Sequence, residues 1–249
     1  MEVIIIPDVH GRNFWKEVIP LTDSVDKIIF LGDYLDPYPC ENISKDVTII
    51  NFKEILNFKK DNPEKVVLLL GNHDCEYAIS KKICNCRCDL TNYKEIQDLF
   101  RNNFDLFEIL YKFEQGDKHY LCSHAGIADK WLNTVISKDA TCDRIVYLQN
   151  LFAVEGYSED SLLAETLAEV GIARWGSDPV GSIIWRDITE PISEKYGYQI
   201  FGHTQLKQNP IVTDKWACLD IREAFKVKDG EIYNLKDELC KKINLQDLH

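Results

Sequence analysis

The sequence predicts an α/β fold, a sandwich of two β-sheets flanked by helices, in one domain spanning residues 1–249. Two observations carry this expectation. The first third of the chain alternates short apolar runs with helical stretches, the βαβ rhythm of a parallel layer. Five apolar runs also end in motifs rich in Asp, His or Asn, and open α/β sheets bind ligands beyond the carboxyl ends of their strands.

Taken in order, Val3–Ile6 is the first strand and leads into Asp8-Val9-His10-Gly11. A helix is predicted near Asn13–Ile19. Ile28–Leu31 leads into Gly32-Asp33-Tyr34-Leu35-Asp36. A longer helix is predicted over Ile43–Lys60, with Val47, Ile50, Ile55 and Phe58 on its apolar stripe. Val66–Leu70 runs into Gly71-Asn72-His73-Asp74, and residues 75–103 read as weakly helical. Lys112–Glu114 and His119–Ser123 form a hairpin around Gln115-Gly116-Asp117, followed by Ser123-His124-Ala125-Gly126. Residues 127–171 read as a helical insertion that extends to about residue 180; Ser161–Val170, stopped by Gly171, is its clearest helix. Strands return at Gln199–Phe201, before Gly202-His203-Thr204, then at Ile211–Val212, Ala217–Ile221 and Phe225–Lys228. The turn Lys228-Asp229-Gly230-Glu231 enters a last strand, Ile232–Leu235.

The chain is long enough for a sizeable core. Its net charge of −12 argues against a broad nucleic-acid or anionic-membrane footprint. A phosphorylated substrate would then need a local positive centre, which bound metal ions supply. The first apolar stretch is too short for a signal peptide, and nothing approaches the roughly 18 apolar residues of a membrane span. Nine cysteines, an odd number, fit free thiols in the cytoplasm better than a disulfide framework.

The motif residues have the chemistry of a dinuclear metal site. Asp8 and His10, two apart in extended chain, leave the same face and can share one ion. Asp33 has two carboxylate oxygens and can bridge to a second ion, which Asn72, His124 and His203 complete. With nitrogen and oxygen donors and no thiolate, Mn, Fe, Zn and Co all suit. Two divalent ions bring +4, Asp8 and Asp33 −2, and a hydroxide between the ions −1, leaving about +1 to attract a phosphate dianion. His73 points away from its neighbour Asn72 and is the candidate proton donor to a leaving group. Asp36 is the candidate to orient it. Four of the six histidines fall in these motifs; His119 and His249 do not.

At these motifs the chain resembles the calcineurin-like metallophosphoesterases, which show D-x-H, G-D-x-x-D, G-N-H-[ED], a later His and G-H. It looks closest to the phosphoprotein phosphatase branch and its bacterial and phage relatives, because Gln205 replaces the second His of G-H-x-H. The resemblance covers roughly residues 2–125 and 180–235. It implies a β-sandwich flanked by α-helices in four layers, α/β/β/α, and two divalent transition-metal ions, with Mn favoured. Asp8, His10 and Asp33 would hold the first ion and Asp33, Asn72, His124 and His203 the second. In the phage and bacterial enzymes a phosphate-binding arginine precedes G-H-T, and Ile184-Trp185-Arg186-Asp187 matches that place. Members usually continue G-D-x-V-D-R-G, whereas here Pro37-Tyr38-Pro39 follows Asp36. Arg12 is a candidate substitute for the missing arginine.

The implied function is a metal-dependent phosphomonoesterase that hydrolyses phosphate esters by attack of a hydroxide between the metals, acting on a phosphoprotein or a small phosphate ester or nucleotide, with a protein serine/threonine phosphatase one option. The alternatives are a dinucleoside polyphosphate or other nucleotide hydrolase, or a metal-binding scaffold without turnover. Cys75, Cys84, Cys86 and Cys88 lack the spacing of ordinary zinc knuckles and read as reduced thiols. Trp131, Trp175 and Trp185 read as buried aromatics, the alternative being the wall of a substrate groove. The acidic segment Glu155–Asp160 reads as a solvated loop.

Overall fold

The computed structural model describes residues 1–79, 86–135, 143–155 and 162–243; Cys84, His249, Ser161 and the acidic stretch 156–160 lie outside them. One sheet comprises β1 (Val3–Ile6), β2 (Lys27–Phe30), β3 (Val66–Leu69), β4 (Phe107–Glu108), β10 (Phe225–Lys228) and β11 (Glu231–Asn234). Its order is β11-β10-β1-β2-β3-β4, with β1 to β4 parallel and β10 antiparallel to β1. The other sheet comprises β5 (Leu110–Gln115), β6 (Lys118–Ser123), β7 (Tyr198–Phe201), β8 (Ile211–Val212) and β9 (Trp216–Cys218). Its order is β5-β6-β7-β9-β8, with β6, β7 and β9 parallel.

The strands read as continuous apolar runs because both faces of the first sheet are covered. Val3 and Ile5 of β1 pack toward the second sheet, in one cluster with Cys122, Ile200 and Ala217. Ile4 and Ile6 alternate to the other face and pack with Phe30, Phe52 and Leu68. The helices are α1 (Lys45–Asp61), α2 (Asn72–Ala78), α3 (Tyr93–Arg101), α4 (Asp129–Val135), α5 (Arg144–Glu155) and α6 (Leu162–Leu167). Leu121, on the outer face of the second sheet, belongs to the cluster that includes Trp131 and Leu132 of α4. Phe201 and Trp216 on that same outer face are covered by Ile188, Ile192 and Leu206 from irregular chain.

Several elements differ from expectation. Near Asn13–Ile19 the chain forms a 3-10 helix over Phe14–Ser24, with Pro20 inside it; proline has no N–H to donate to an α-helical ladder. Helix α1 begins after Ser44, whose side chain accepts from the Val47 N–H. Its buried face is Thr48, Ile49, Phe52, Ile55, Leu56 and Phe58, whereas Val47 and Ile50 are exposed. The helix is turned this way because Phe52 nests among Tyr34, Phe100 and Phe107, with ring centroids 4.8–6.3 Å apart. Strand β9 ends at Cys218, so Leu219 to Ile221 lie beyond the ladder. Among the described residues, no helix is long and apolar enough to cross a membrane.

Phe52→Ala should destabilise the fold by about 3–5 kcal/mol in denaturant unfolding, as a large-to-small change in a packed aromatic cluster does. Val47→Ser should shift stability by no more than about 0.5 kcal/mol, because its side chain already faces water.

Candidate metal centre

The parallel strands of the two sheets, β1 to β4 in one and β6, β7 and β9 in the other, run toward one rim, and the five motifs lie just beyond five of them. Beyond β1, Asp8 accepts from the backbone N–H of His203 with both oxygens, at 3.0 and 3.2 Å. This contact is one of those that tie the first sheet to the second at the rim. Gly202 is required beside it, since a Cβ there would lie 2.2 Å from Asp8 Oδ1. Beyond β2, Asp33 spans the centre. Its Oδ2 is 3.5 Å from His10 Nε2 and its Oδ1 is 3.6 Å from His124 Nε2. Gly71 leaves room for that carboxylate, because its Cβ would lie 2.2 Å from Asp33 Oδ1.

The second cluster is tighter. His124 Nε2, Asn72 Oδ1 and His203 Nδ1 lie 2.9–3.2 Å from one another. His124 uses Nδ1 to donate to the Leu31 carbonyl at 2.8 Å, which leaves Nε2 as a bare lone pair. His10 likewise bonds the Leu35 carbonyl through Nδ1 at 2.7 Å and presents Nε2. Such carbonyl bonds to the far ring nitrogen are the usual outer support of metal-binding histidines. The Asn72 amide is oriented from behind, its Nδ2 donating to Cys86 Sγ at 3.2 Å. Ligands about 2.1 Å from an ion at right angles sit about 3.0 Å apart, which is the spacing found here. The residues therefore fit a divalent ion on each side of Asp33.

The electrostatics agree. Asp8, His10, Asp33, Asn72 and His124 are all nearly or fully buried. Burial, with Asp8 alongside, pushes the Asp33 carboxyl well above the usual range. Burial also pulls His10 down to about 3 and His203 well below an ordinary histidine, so both rings are neutral. Neutral imidazoles around crowded carboxylates make a site that a cation stabilises. Among the described residues, the carboxylate, imidazole and thiol groups close enough to share an ion are His10, Asp33 and His73, and Asp8, Asp33 and His124. Neither contains a cysteine.

His73 lies close enough to join the first group, but its Nδ1 is 2.9 Å from Asp36 Oδ2. Tyr77 donates to the other oxygen of Asp36 at 2.7 Å, which fixes the carboxylate from behind. Burial raises Asp36 to about 7 and, with Arg87 nearby, lowers His73 to about 3.

A cavity of about 390 Å³ opens over these groups, lined by His10, Asp33, Asn72, His73 and His203 and by Tyr38, Arg87, Arg174, Trp175 and Trp185. Neither Arg12 nor Arg186 lines it. Arg12 is held by Glu41, its Nε 2.9 Å from Oε1, and by the Asp8 carbonyl. Arg186 is 1% exposed; its Nε and Nη1 donate to the carbonyls of Ala125, Asp187 and Glu190, and its Nη2 has no partner. These bonds make Arg186 a brace for the loop after β6 and the stretch 187–190. Trp131 is buried as expected, Trp185 stands edge-on to His203, and Trp175 is 95% exposed on the cavity rim.

Sequence reasoning passed over Arg87, Arg174 and Asp74. The first two sit in stretches without a motif. Asp74 sits inside one, but its role is visible only in its contacts. It accepts from the N–H groups of Gly71 at 2.8 Å, Asp33 at 2.6 Å and Tyr34 at 3.0 Å.

The family model for calcineurin-like phosphoesterases matches residues 1–206, and the chain belongs to that family. It is accordingly a hydrolase acting on phosphoric esters, with a dinuclear-capable site for divalent metals. Its fold is similar to that of a cold-active protein-tyrosine phosphatase from a psychrophilic Shewanella species. The TM-score is 0.59 at 14% identity, over 96% of this chain and 80% of that one. A metallophosphoesterase from Sphaerobacter thermophilus aligns at 14% identity over 94% of this chain and 88% of that one, TM-score 0.41. A protein serine/threonine phosphatase from Saccharomyces cerevisiae aligns at 13% identity over 92% and 73%, TM-score 0.48. At these identities the likeness concerns the fold alone. No curated protein sequence matches the chain.

Gly71→Ala and Gly202→Ala should each bind fewer ions than the unsubstituted protein when metal content is measured after reconstitution. Gly116→Ala, where a Cβ meets nothing within 4 Å, should bind the full complement.

Proposed function

We propose that this metal-dependent phosphoesterase is a phosphomonoesterase. Asp8, His10 and Asp33 hold one divalent ion, and Asp33, Asn72, His124 and His203 hold the other. His73, paired with Asp36, gives the proton to the leaving alcohol. The observation that carries the reading is the 2.9 Å bond between His73 Nδ1 and Asp36, set beside the convergent donors around Asp33. Bound divalent ions supply Lewis acidity toward the phosphoryl group and lower the pKa of water.

The residues themselves do the rest. Tyr77 fixes Asp36, Asp36 fixes the His73 ring, and Nε2 is left to face the cavity. With Asp36 raised to about 7 and His73 lowered to about 3, burial leaves the pair holding one proton near neutrality. An incoming phosphate dianion favours that proton on the imidazole, from which it passes to the leaving oxygen. Mn²⁺ is the ion to test first, since nitrogen and oxygen donors suit it.

The preferred substrate is a phosphorylated protein side chain. A second reading, hydrolysis of a nucleotide polyphosphate, draws support from Tyr38, Trp175 and Trp185 on the cavity wall, where a base would find aromatic faces. The filled ligand positions speak for turnover over a scaffold role.

Phosphate release from p-nitrophenyl phosphate should vanish after chelation and return with added Mn²⁺. Absence of activity with metals demonstrably bound would overturn the phosphomonoesterase reading, and phosphopeptides and dinucleotides tested in parallel separate the two substrates. His73→Asn should lower turnover by about 10²- to 10⁴-fold with metal content intact, the loss expected for a missing acid catalyst. Asp33→Asn should instead lose metal. If His73→Asn also empties the site, His73 is a ligand and the assignment is wrong.

A further inference from the structure

The family pattern expects an arginine directly after Asp36, where this chain has Pro37. The cavity nevertheless contains a guanidinium in that neighbourhood, delivered by another segment. Arg87 lines the cavity with His10, Asp33 and His73. Its Nη2 donates to the backbone carbonyl of Asp36 at 3.2 Å, so the group is anchored on the very residue after which the arginine is missing. Its Cζ lies 3.9 Å from the centroid of the Tyr38 ring. Tyr38 in turn stands edge-on to His10, with ring centroids 5.3 Å apart. Pro37 and Pro39 flank Tyr38 and restrict the backbone that carries it.

Three consequences follow from this arrangement. A guanidinium stacked on a ring has its plane fixed, and its N–H groups point outward along the edges of that plane. One of its donors is used by the Asp36 carbonyl and the Tyr38 side chain is a second polar partner, which leaves the other N–H groups for a ligand. Among the described residues, no carboxylate forms an ion pair with Arg87. The other guanidiniums of this region are engaged: Arg12 by Glu41, Arg174 by Asp187 and Arg186 by three carbonyls. Among the described residues, Arg87 is thus the oriented, uncompensated cation on the cavity wall.

We propose that Arg87, held by the Tyr38 ring and the Asp36 carbonyl, is the substrate-binding residue that grips the non-bridging oxygens of a phosphate monoester. The proposal rests on the phosphomonoesterase reading. The guanidinium comes from the segment following α2, and the Pro-Tyr-Pro turn after Asp36 carries its platform. A planar, permanently charged fork suits this task, because two parallel N–H···O contacts hold a phosphate by direction as well as by charge.

The test uses the full chain loaded with Mn²⁺ and measures calorimetric binding of inorganic phosphate, alongside p-nitrophenyl phosphate kinetics, metal content and thermal unfolding. Arg87→Ala should weaken phosphate binding and lower kcat/KM by about 10- to 100-fold, the loss of a charge-assisted bidentate contact, with metal content and Tm unchanged. Arg87→Lys should recover only part of both, because an ammonium keeps the charge and loses the fork. Tyr38→Leu should give an intermediate loss through the missing platform. Wild-type phosphate affinity in Arg87→Ala would overturn the proposal, as would loss of metal in that variant, or no measurable phosphate binding by the loaded wild-type protein. Because binding needs no turnover, Arg87 is tested even if p-nitrophenyl phosphate is not hydrolysed, an outcome that would count against the phosphomonoesterase reading alone.

Discussion

Past Phe30 and Leu68 the parallel ladder between β2 and β3 ends, and from there the carboxylate of Asp74 joins the two loops. It accepts the N–H of Gly71 in its own loop and those of Asp33 and Tyr34 in the neighbouring one. The residue is completely buried, and burial together with Asp33 pushes its carboxyl up while the N–H groups of Gly71 and Tyr34 pull it back. Asp33 is the carboxylate that faces both imidazole clusters, so its position depends on this contact. So do those of Asn72 and His73, which begin the helix that Asp74 caps. A side chain that touches no substrate therefore sets the spacing of the whole centre.

That spacing is maintained against backbone strain. His10, Asp33, Asp36 and His203 all have positive φ, between 46° and 62°, a region that residues other than glycine seldom occupy. Each such residue costs of order 1–3 kcal/mol and persists only where its surroundings over-determine it. The surroundings here are loop-to-loop hydrogen bonds. The N–H groups of Val9 and His10 both donate to the Asp33 carbonyl, Gly11 donates to the Tyr34 carbonyl, and Gly202 donates to that of His124. Turning the backbone left-handed at the strand ends lets side chains from five strands converge on a volume only a few ångströms across. These bonds join neighbouring strand ends within each sheet, and the sheets are linked at the rim by the His203 N–H on Asp8 and the His124 ring on the Leu31 carbonyl.

Charge distribution explains how an acidic protein attracts a phosphate. The net charge is −12, and of the two guanidiniums in the cavity wall, Arg87 and Arg174, the second is neutralised by Asp187. In the proposed function the attraction comes from the ions that Asp8 and Asp33 would hold and from guanidinium groups that lack a counter-charge. Asn72 adds a softer constraint, since its carboxamide is turned by the Cys86 thiol so that the oxygen, and not the nitrogen, faces His124 and His203.

What was legible in the sequence is what local patterns encode. Alternation of strand and helix, apolar runs buried on both faces and short motifs at their ends were enough for the α/β sandwich and for Asp8, His10, Asp33, Asn72, His124 and His203 as neighbours. Each of these residues follows its strand directly, so topology alone brings it to the rim. The same locality misread α1, where Val47 and Ile50 fit a helical stripe but Phe52 is the residue with an aromatic cavity to fill. It also assigned Arg186 by position relative to Gly202-His203-Thr204, while the carbonyls that claim its guanidinium come from residues 125, 187 and 190. The roles of Asp74, Tyr77 and Arg87 were illegible because their partners, Gly71 aside, are 12 to 51 residues away and are main-chain groups or single side chains. The sequence by itself determined which carboxylate, amide and imidazole side chains reach the rim, because strand ends are set by nearby residues. Only the tertiary structure decided which charges face the cavity and which are spent on the scaffold, because that depends on hydrogen bonds between segments far apart in the chain.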